Sequence, residues 1–260
     1  MRPLILVTND DGITARGIAA LVEAAAPIGD IIIVAPDSPQ SAQGHALTIE
    51  QPLFVKESEA FPDYEAYECS GTPVDCVKLA KSILMKGRTP DLCISGINHG
   101  SNASINILYS GTLSAAMEAS IESIPSIGFS LLDYRADADF TAAKVVARQI
   151  ITDVLERGMP AGHLYNVNIP KLPLHELKGV KVCRQAEARW TEEYATNQDP
   201  RGRTYYWLTG KFVNEDQRPD TDVAALEAGY VSLVPSGHQL TNEEALNALK
   251  NQNGRFDLER

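Results

Sequence analysis

The chain has 260 residues, enough for one large α/β domain or for such a domain with an appended arm. Its 44% hydrophobic and 22% charged residues are ordinary for a soluble globular enzyme. The net charge of −11 argues against stable nucleic-acid binding, which needs a basic surface, but it does not exclude a small phosphorylated substrate.

The four cysteines show no zinc-type spacing, and at least two of them lie in apolar runs, which favours buried free thiols. No signal peptide precedes the first predicted strand, and no apolar stretch is long enough to span a membrane. We therefore expect a cytoplasmic protein without a membrane partner.

The N-terminal elements alternate between strand and helix. The apolar run Pro3 to Val7 predicts a strand buried on both faces, and Gly17 to Ala26 predicts a helix with one apolar face. The run 30–36 is rich in β-branched residues and predicts a second strand, parallel to the first. No GxGxxG follows the first strand, which argues against a nicotinamide or flavin enzyme.

Polar loops follow three of the predicted strands. Asn9, Asp10 and Asp11 follow the first, a loop with Ser38, Ser41 and His45 follows the second, and Asn98 follows a strand at 91–96. In open parallel sheets these exits share one edge, where ligands bind. An Asp-Asp-Gly sequence alone is more typical of a tight turn, but three converging loops of oxygen ligands favour Mg²⁺, Mn²⁺ or Ca²⁺. Spacing leaves Ser38 and Ser41 as alternatives.

The sequence Ser-Gly-Thr precedes a predicted helix twice, at 70–72 and at 110–112. A helix start attracts anions through its free N–H groups and its dipole. The first copy is followed by Pro73, which has no N–H, so it predicts an ordinary cap. We therefore predict that phosphate binds at Ser110, Gly111 and Thr112.

Two histidines fall in these exit loops. His45 and His99 could each protonate a leaving oxygen, and each could equally be a plain hydrogen-bonding residue of its loop.

The remaining segments complete a doubly wound, mostly parallel Rossmann-like sheet. We predict a strand or hairpin at 46–55, a surface loop at 58–67, a helix from about 72 to 85 and another from 113 to 123. A strand at 124–129, a long helix at 139–157 and strands at 166–169 and 180–183 follow.

The predicted α/β core covers residues 1–180, and an extended arm covers 181–225. The arm is polar with scattered aromatics, which would be buried either by a partner chain or by folding back on the core. A C-terminal segment, 226–260, contains a capping box at 241–244 before a helix at 245–250 and packs on the core or on a partner.

Several of these segments together resemble the SurE (survival protein E) family of nucleotidases. They occur in the family's order over the first half of the chain, and Tyr205–Trp207 resembles its later arm. The matching segments are Val7–Gly12, Val34–Pro36, Gln40–His45, Ser70–Pro73, Ser95–Gly100 and Tyr109–Thr112.

The resemblance implies a metal-dependent phosphatase acting on nucleoside 5′- and 3′-monophosphates. It implies one divalent cation per subunit, Mg²⁺ or Mn²⁺, bound by Asp10, Asp11, Ser41 and Asn98, which selects Ser41 over Ser38. It also implies a homodimer or homotetramer built on exchanged arms. Asp10 or Asp11 would act on the attacking water, and the predicted substrate-binding residues are Asn9, His45, Asn98, Ser110, Gly111 and Thr112.

Two other functions are alternatives to the nucleotidase. A haloacid-dehalogenase-type phosphatase typically has two aspartates separated by one residue, whereas Asp10 and Asp11 are adjacent. A non-catalytic nucleotide- or metal-sensing module would bind the same ligands without releasing phosphate.

Overall fold

The computed structural model describes residues 2–252, built around a nine-stranded sheet with helices on both faces. The strands are β1 Leu4–Thr8, β2 Asp30–Pro36, β3 Val55–Glu57, β4 Glu65–Cys69, β5 Leu92–His99, β6 Ser126–Leu131, β7 His163–Ile169, β8 Val180–Val182, β9 Ala188–Trp190, β10 Glu193–Gln198, β11 Thr204–Thr209, β12 Phe212–Asn214 and β13 Val231–Gly237. The helices are α1 Arg16–Ala25, α2 Pro73–Leu79, α3 Gly111–Ile121, α4 Thr141–Arg157, α5 Asp222–Glu227 and α6 Glu243–Lys250.

The strand order defines where a ligand can bind. The sheet runs β3-β4-β2-β1-β5-β6-β7-β13-β8, and the strands from β4 to β7 are mutually parallel. The chain moves outward from β1 through β2 to β4, then returns to β5 and moves the other way. This reversal leaves a crevice at the carboxyl ends of β1 and β5, the usual ligand position in such sheets.

Two hydrophobic cores cover the two faces of the sheet. Ile5 and Val7 of β1 lie in the core beneath α1 and α4, whereas Leu6 lies in the core beneath α2 and α3. All three side chains are fully buried. The predicted doubly wound, mostly parallel α/β sheet is confirmed.

Two predictions between β2 and α2 are wrong. Part of the predicted surface loop forms β4, which pairs in parallel with β2; only Ala66 and Cys69 of this strand are buried, so its apolar signal is weak. The segment 46–55, predicted as a strand or hairpin, is irregular up to Val55, where β3 begins. Its apolar residues do not form a buried face, and Ile49 is exposed.

The C-terminal part returns to the sheet. Strand β13, which the sequence did not predict, pairs antiparallel with β7 and parallel with β8. Helix α6 begins two residues before the predicted start, and Asn242, rather than Thr241, caps it by accepting the N–H of Ala245 at 2.8 Å. The last residues of the predicted 226–260 segment, 253–260, lie outside the described part.

The arm is a β-hairpin of two successive pairs, β9 with β12 and β10 with β11. Its outer half exposes large side chains on both faces: Tyr194, Tyr205, Tyr206, Trp207 and Leu208. An isolated two-stranded hairpin is at best marginally stable in water, so the arm depends on its attachment to the core or on a partner.

The residue that attaches the arm is Asp222, whose side chain is fully buried at the start of α5. Its carboxylate accepts the N–H groups of Ser104 at 2.8 Å, Ala186 at 2.9 Å and Val223 at 2.8 Å. It thus joins the loop after β5, the entry to the arm and α5.

No helix within residues 2–252 has both the length and the apolar character needed to cross a membrane.

Replacing Asp222 by Ala should lower the free energy of unfolding by about 3 kcal/mol, because three buried N–H groups lose their acceptor. Asp220→Ala is the matched control, since the Asp220 side chain is exposed and forms an ion pair with the exposed Arg184 at 2.8 Å. It should cost less than about 1 kcal/mol. Denaturant unfolding, with an unchanged m-value, measures the free energy of unfolding of both variants. Equal losses of stability would contradict the role of Asp222 in attaching the arm.

Candidate active site

The predicted cation ligands lie along one cleft at the β1–β5 crevice. Asp10, Asp11, Ser41 and Asn98 all line it, and its volume is about 920 Å³. Ser38, the alternative to Ser41, does not line the cleft, and its hydroxyl donates to Asp37 at 2.8 Å.

Asp10 is almost completely buried against the start of α3. The Thr112 hydroxyl donates to its Oδ1. A Cβ on Gly111 would lie 2.7 Å from the Asp10 Cβ and 2.9 Å from its Oδ2, so only glycine permits this approach. Burial raises the pKa of Asp10 to about 6, the charge of Asp11 adds to the rise, and Thr112 opposes it.

Asp11 is partly buried, and burial also raises the pKa of its carboxyl, against the opposing effect of the nearby His99. Two adjacent, partly desolvated carboxylates repel each other when both are ionised. A cation between them removes that repulsion, which makes the pair a suitable place for one.

Asn98 lies in β5, which continues to His99 past the predicted strand end at 96 and pairs Asn98 with Ser130 of β6. The neighbouring backbone orients its side chain. Its Nδ2 donates to the backbone carbonyls of His99 at 3.2 Å and Gly100 at 3.1 Å. The amide nitrogen is thereby committed, and the Oδ1 remains as the acceptor that a cation would use.

The loop after β2 is tied to the loop after β1 through the backbone. The N–H of Gln40 donates to the carbonyl of Asp10 at 2.7 Å. Ser41, the next residue, is exposed and lines the same cleft as Asp10.

Asn9 lies beneath the turn rather than on the cleft wall. Its Nδ2 donates to the Gly12 carbonyl at 2.9 Å, and its buried Oδ1 has no hydrogen-bond partner within the described residues. Gly12 has φ +96°, which glycine adopts without strain.

The two Ser-Gly-Thr segments have different surroundings, and only the cap predicted for the first is confirmed. Thr72 forms a reciprocal capping box with Asp75 at the start of α2, an ordinary cap. Ser110 caps α3 by accepting the N–H of Leu113 at 3.1 Å, and it lines the cleft. Gly111 and Thr112 do not line the cleft, and they contact Asp10 instead.

His45 does not line the cleft. Its Nε2 lies 2.8 Å from Oε2 of Glu118, a nearly buried residue of α3 that also pairs with Lys78 at 2.5 Å. Glu118 was not predicted from the sequence, where it is recognisable only as the single acidic residue among the small residues of α3. His99 does line the cleft, with its ring edge-on to Phe140.

A further part of the cleft wall, rich in apolar side chains, was not predicted from the sequence. It is formed by residues from both pairs of the arm together with loops of the core, and it includes Ile105, Tyr109, Tyr134, Trp190, Tyr194 and Leu208.

The donor set fits a hard cation. Within residues 2–252 there is no cluster of three or more His, Cys, Asp or Glu side chains that could hold a metal, so the described part contains no zinc-type site. Two carboxylates with a hydroxyl and an amide oxygen, completed by water, are the ligands that Mg²⁺ and Mn²⁺ favour.

The fold and cleft define a doubly wound α/β protein with an acidic, oxygen-lined site at its topological switch point. More particularly, the chain belongs to the SurE family, because the family model described as survival protein SurE matches residues 5–192.

Similar proteins cover nearly the whole chain. A protein of Christiangramia forsetii named 5′-nucleotidase SurE is 59% identical over 92% of this chain and 93% of its own length. A protein of the same name from Cytophaga hutchinsonii is 54% identical over 95% and 96%. The crystal structure of the SurE protein from Aquifex aeolicus aligns with a TM-score of 0.84 at 38% identity, covering 96% of this chain and 99% of that one.

Replacing Gly111 by Ala should lower the free energy of unfolding by about 2 kcal/mol, because the new methyl group overlaps the buried Asp10. Gly237→Ala is the control, since a Cβ there would be 3.5 Å from its nearest neighbour. We expect that control to be nearly neutral in denaturant unfolding; a neutral Gly111→Ala would mean that Asp10 is not confined by α3.

Proposed function

We propose that the protein is a 5′-nucleotidase that hydrolyses nucleoside 5′- and 3′-monophosphates to nucleoside and phosphate, using a divalent cation. The observation that carries the proposal is the meeting of Asp10, Asp11 and Asn98 on one cleft at the switch point of the sheet. The relatives named 5′-nucleotidase SurE, similar over nearly the whole chain, support the same activity.

One Mg²⁺ or Mn²⁺ ion per subunit would be held by Asp10, Asp11, Ser41 and Asn98. When bound, such an ion polarises phosphoryl oxygens and lowers the pKa of water.

The chain's own residues have distinct tasks in this proposal. Asp10 or Asp11 orients the attacking water and accepts its proton. Ser110 contacts the phosphate at the start of α3, where the positive end of the helix dipole favours an anion. Gly111 and Thr112 act by holding Asp10 in place.

Asn9 and His45, the other two predicted substrate-binding residues, do not line the cleft, so we assign them indirect tasks. Asn9 shapes the turn that carries Asp10 and Asp11. His45 anchors the loop of Ser41 to Glu118, so we propose that it positions that loop rather than protonating the leaving group.

The four cysteines are free and buried, which supports a reducing compartment such as the cytoplasm.

Asp10→Asn should reduce phosphate release from nucleoside 5′-monophosphates with Mn²⁺ or Mg²⁺ by about 10³-fold, because the amide removes a charged ligand and proton acceptor. Asp153→Asn is the control, because Asp153 is exposed and forms an ion pair with Arg157 on the surface of α4.

Circular dichroism should show an intact fold in both variants. Wild-type rates in Asp10→Asn at saturating metal would refute the role of Asp10. Absence of phosphate release from the unmodified protein, with every nucleotide and either metal, would favour the sensing module instead.

For assembly we propose a homodimer or homotetramer in which the outer half of the arm packs against another subunit. In β10 and β11, Tyr194 and Leu208 lie opposite each other on one face, and Ala195 and Trp207 on the other. Large side chains are therefore exposed on both faces of a hairpin that has no sheet neighbour within residues 2–252. Burial by a partner chain removes this apolar surface from water.

Tyr206→Glu should shift the protein to a smaller species in light scattering at fixed concentration, since a charge at a buried contact opposes association. Leu174→Glu, at an exposed site outside the arm, should leave the mass unchanged. An unchanged mass in both variants would assign the interface elsewhere.

A further inference from the structure

The cleft is larger than a phosphate and its cation require. Its volume of about 920 Å³ is near the upper end of the range for sites that enclose whole small-molecule ligands. Asp10, Asp11 and Asn98 contribute only part of the lining, and the arm contributes another part, so a substrate held by its phosphate at the carboxylates has room for the rest of the molecule beside the wall to which the arm contributes.

Trp190 is a fixed aromatic side chain on that wall. Its Nε1 donates to Oδ1 of Asn106 at 2.7 Å, and its ring meets the Phe212 ring edge-on at 5.8 Å between centroids. These contacts hold the ring from two sides, yet 47% of the residue remains exposed, and Trp190 lines the cleft.

The position of Trp190 does not depend on the outer half of the arm. Strand β9 is anchored at its start, where Ser104 Oγ donates to the Ala186 carbonyl at 2.8 Å and accepts the N–H of Ala188 at 3.2 Å. A ring that is both anchored and partly open to a ligand cleft is suited to stacking against a flat, apolar group.

We propose that Trp190 is the residue against which the nucleobase of the substrate stacks, while the phosphate is held at the part of the cleft lined by Asp10 and Asn98. This assignment rests on the nucleotidase activity proposed above. Stacking uses the π-face that every base has, so it favours nucleotides over phosphate esters without a base and discriminates weakly among the four bases.

The kinetic test compares adenosine 5′-monophosphate with ribose 5-phosphate, which lacks the base. Trp190→Ala should lower kcat/KM for the nucleotide about tenfold, mainly through KM, which is the size expected for one lost base–aromatic stack. The value for ribose 5-phosphate should fall by no more than about twofold on the same grounds. Trp190→Phe, which keeps an aromatic face, should recover most of the loss.

The chain has two tryptophans, which provides a matched control. Trp207 lies on β11 and does not line the cleft. Trp207→Phe should therefore leave the ratio of the two kcat/KM values unchanged. Equal losses for both substrates in Trp190→Ala would show a structural role and overturn the proposal.

A binding measurement separates this proposal from the proposed activity. Trp207→Phe leaves Trp190 as the single tryptophan, and titration with adenosine, which carries no phosphate to hydrolyse, should quench its fluorescence saturably, whereas ribose should not. A protein that releases no phosphate yet shows this quenching would refute the nucleotidase and retain the base site. No quenching by adenosine would overturn the base site, whatever the activity.

Discussion

The contact between the Asp10 carboxyl and the first turn of α3 is the constraint on which the site depends. A buried carboxylate is costly unless it is paired or hydrogen-bonded. Here the Thr112 hydroxyl and the positive end of the helix dipole supply part of that compensation. Gly111 makes the contact possible, because any side chain at that position would occupy the space of Asp10. Backbone hydrogen bonds from Asp10 and Thr112 add to it, yet burial still raises the pKa of the carboxyl, so a cation or a proton at this position would be favoured.

The sequence predicts the parts of the fold that have a simple burial pattern. Strand β1 is recognised because it is buried on both faces, and the three polar exits converge because parallel strands end at one edge. Strand β4 was missed because it contributes only two buried side chains. Strand β13 was missed because its place depends on pairing with β7, about sixty residues earlier in the chain, which no local pattern reveals.

The residues of the candidate site likewise differ in how far the sequence predicts them. Asp10 and Asp11 follow the end of β1, and Asn98 lies among the last residues of β5. The choice of Ser41 over Ser38 came from family resemblance, because both residues lie in one short loop. The involvement of Trp190 could not be predicted. The position of Trp190 depends on the pairing of β9 with β12. The hairpin exposes aromatic side chains on both faces, so its sequence lacks the apolar–polar alternation by which a half-buried strand is predicted.

The four side chains proposed to hold the cation differ in how firmly they are fixed. Asp10 is buried against the start of α3, and the Asn98 amide is held by two backbone carbonyls. Ser41 lies on an exposed loop that is held by the Gln40 backbone bond and by the hydrogen bond between His45 and Glu118. At the proposed site, an ion would therefore be exchanged with solvent by movement of that loop alone. Neither hydrophobic core would have to open, so ion exchange would not require global unfolding.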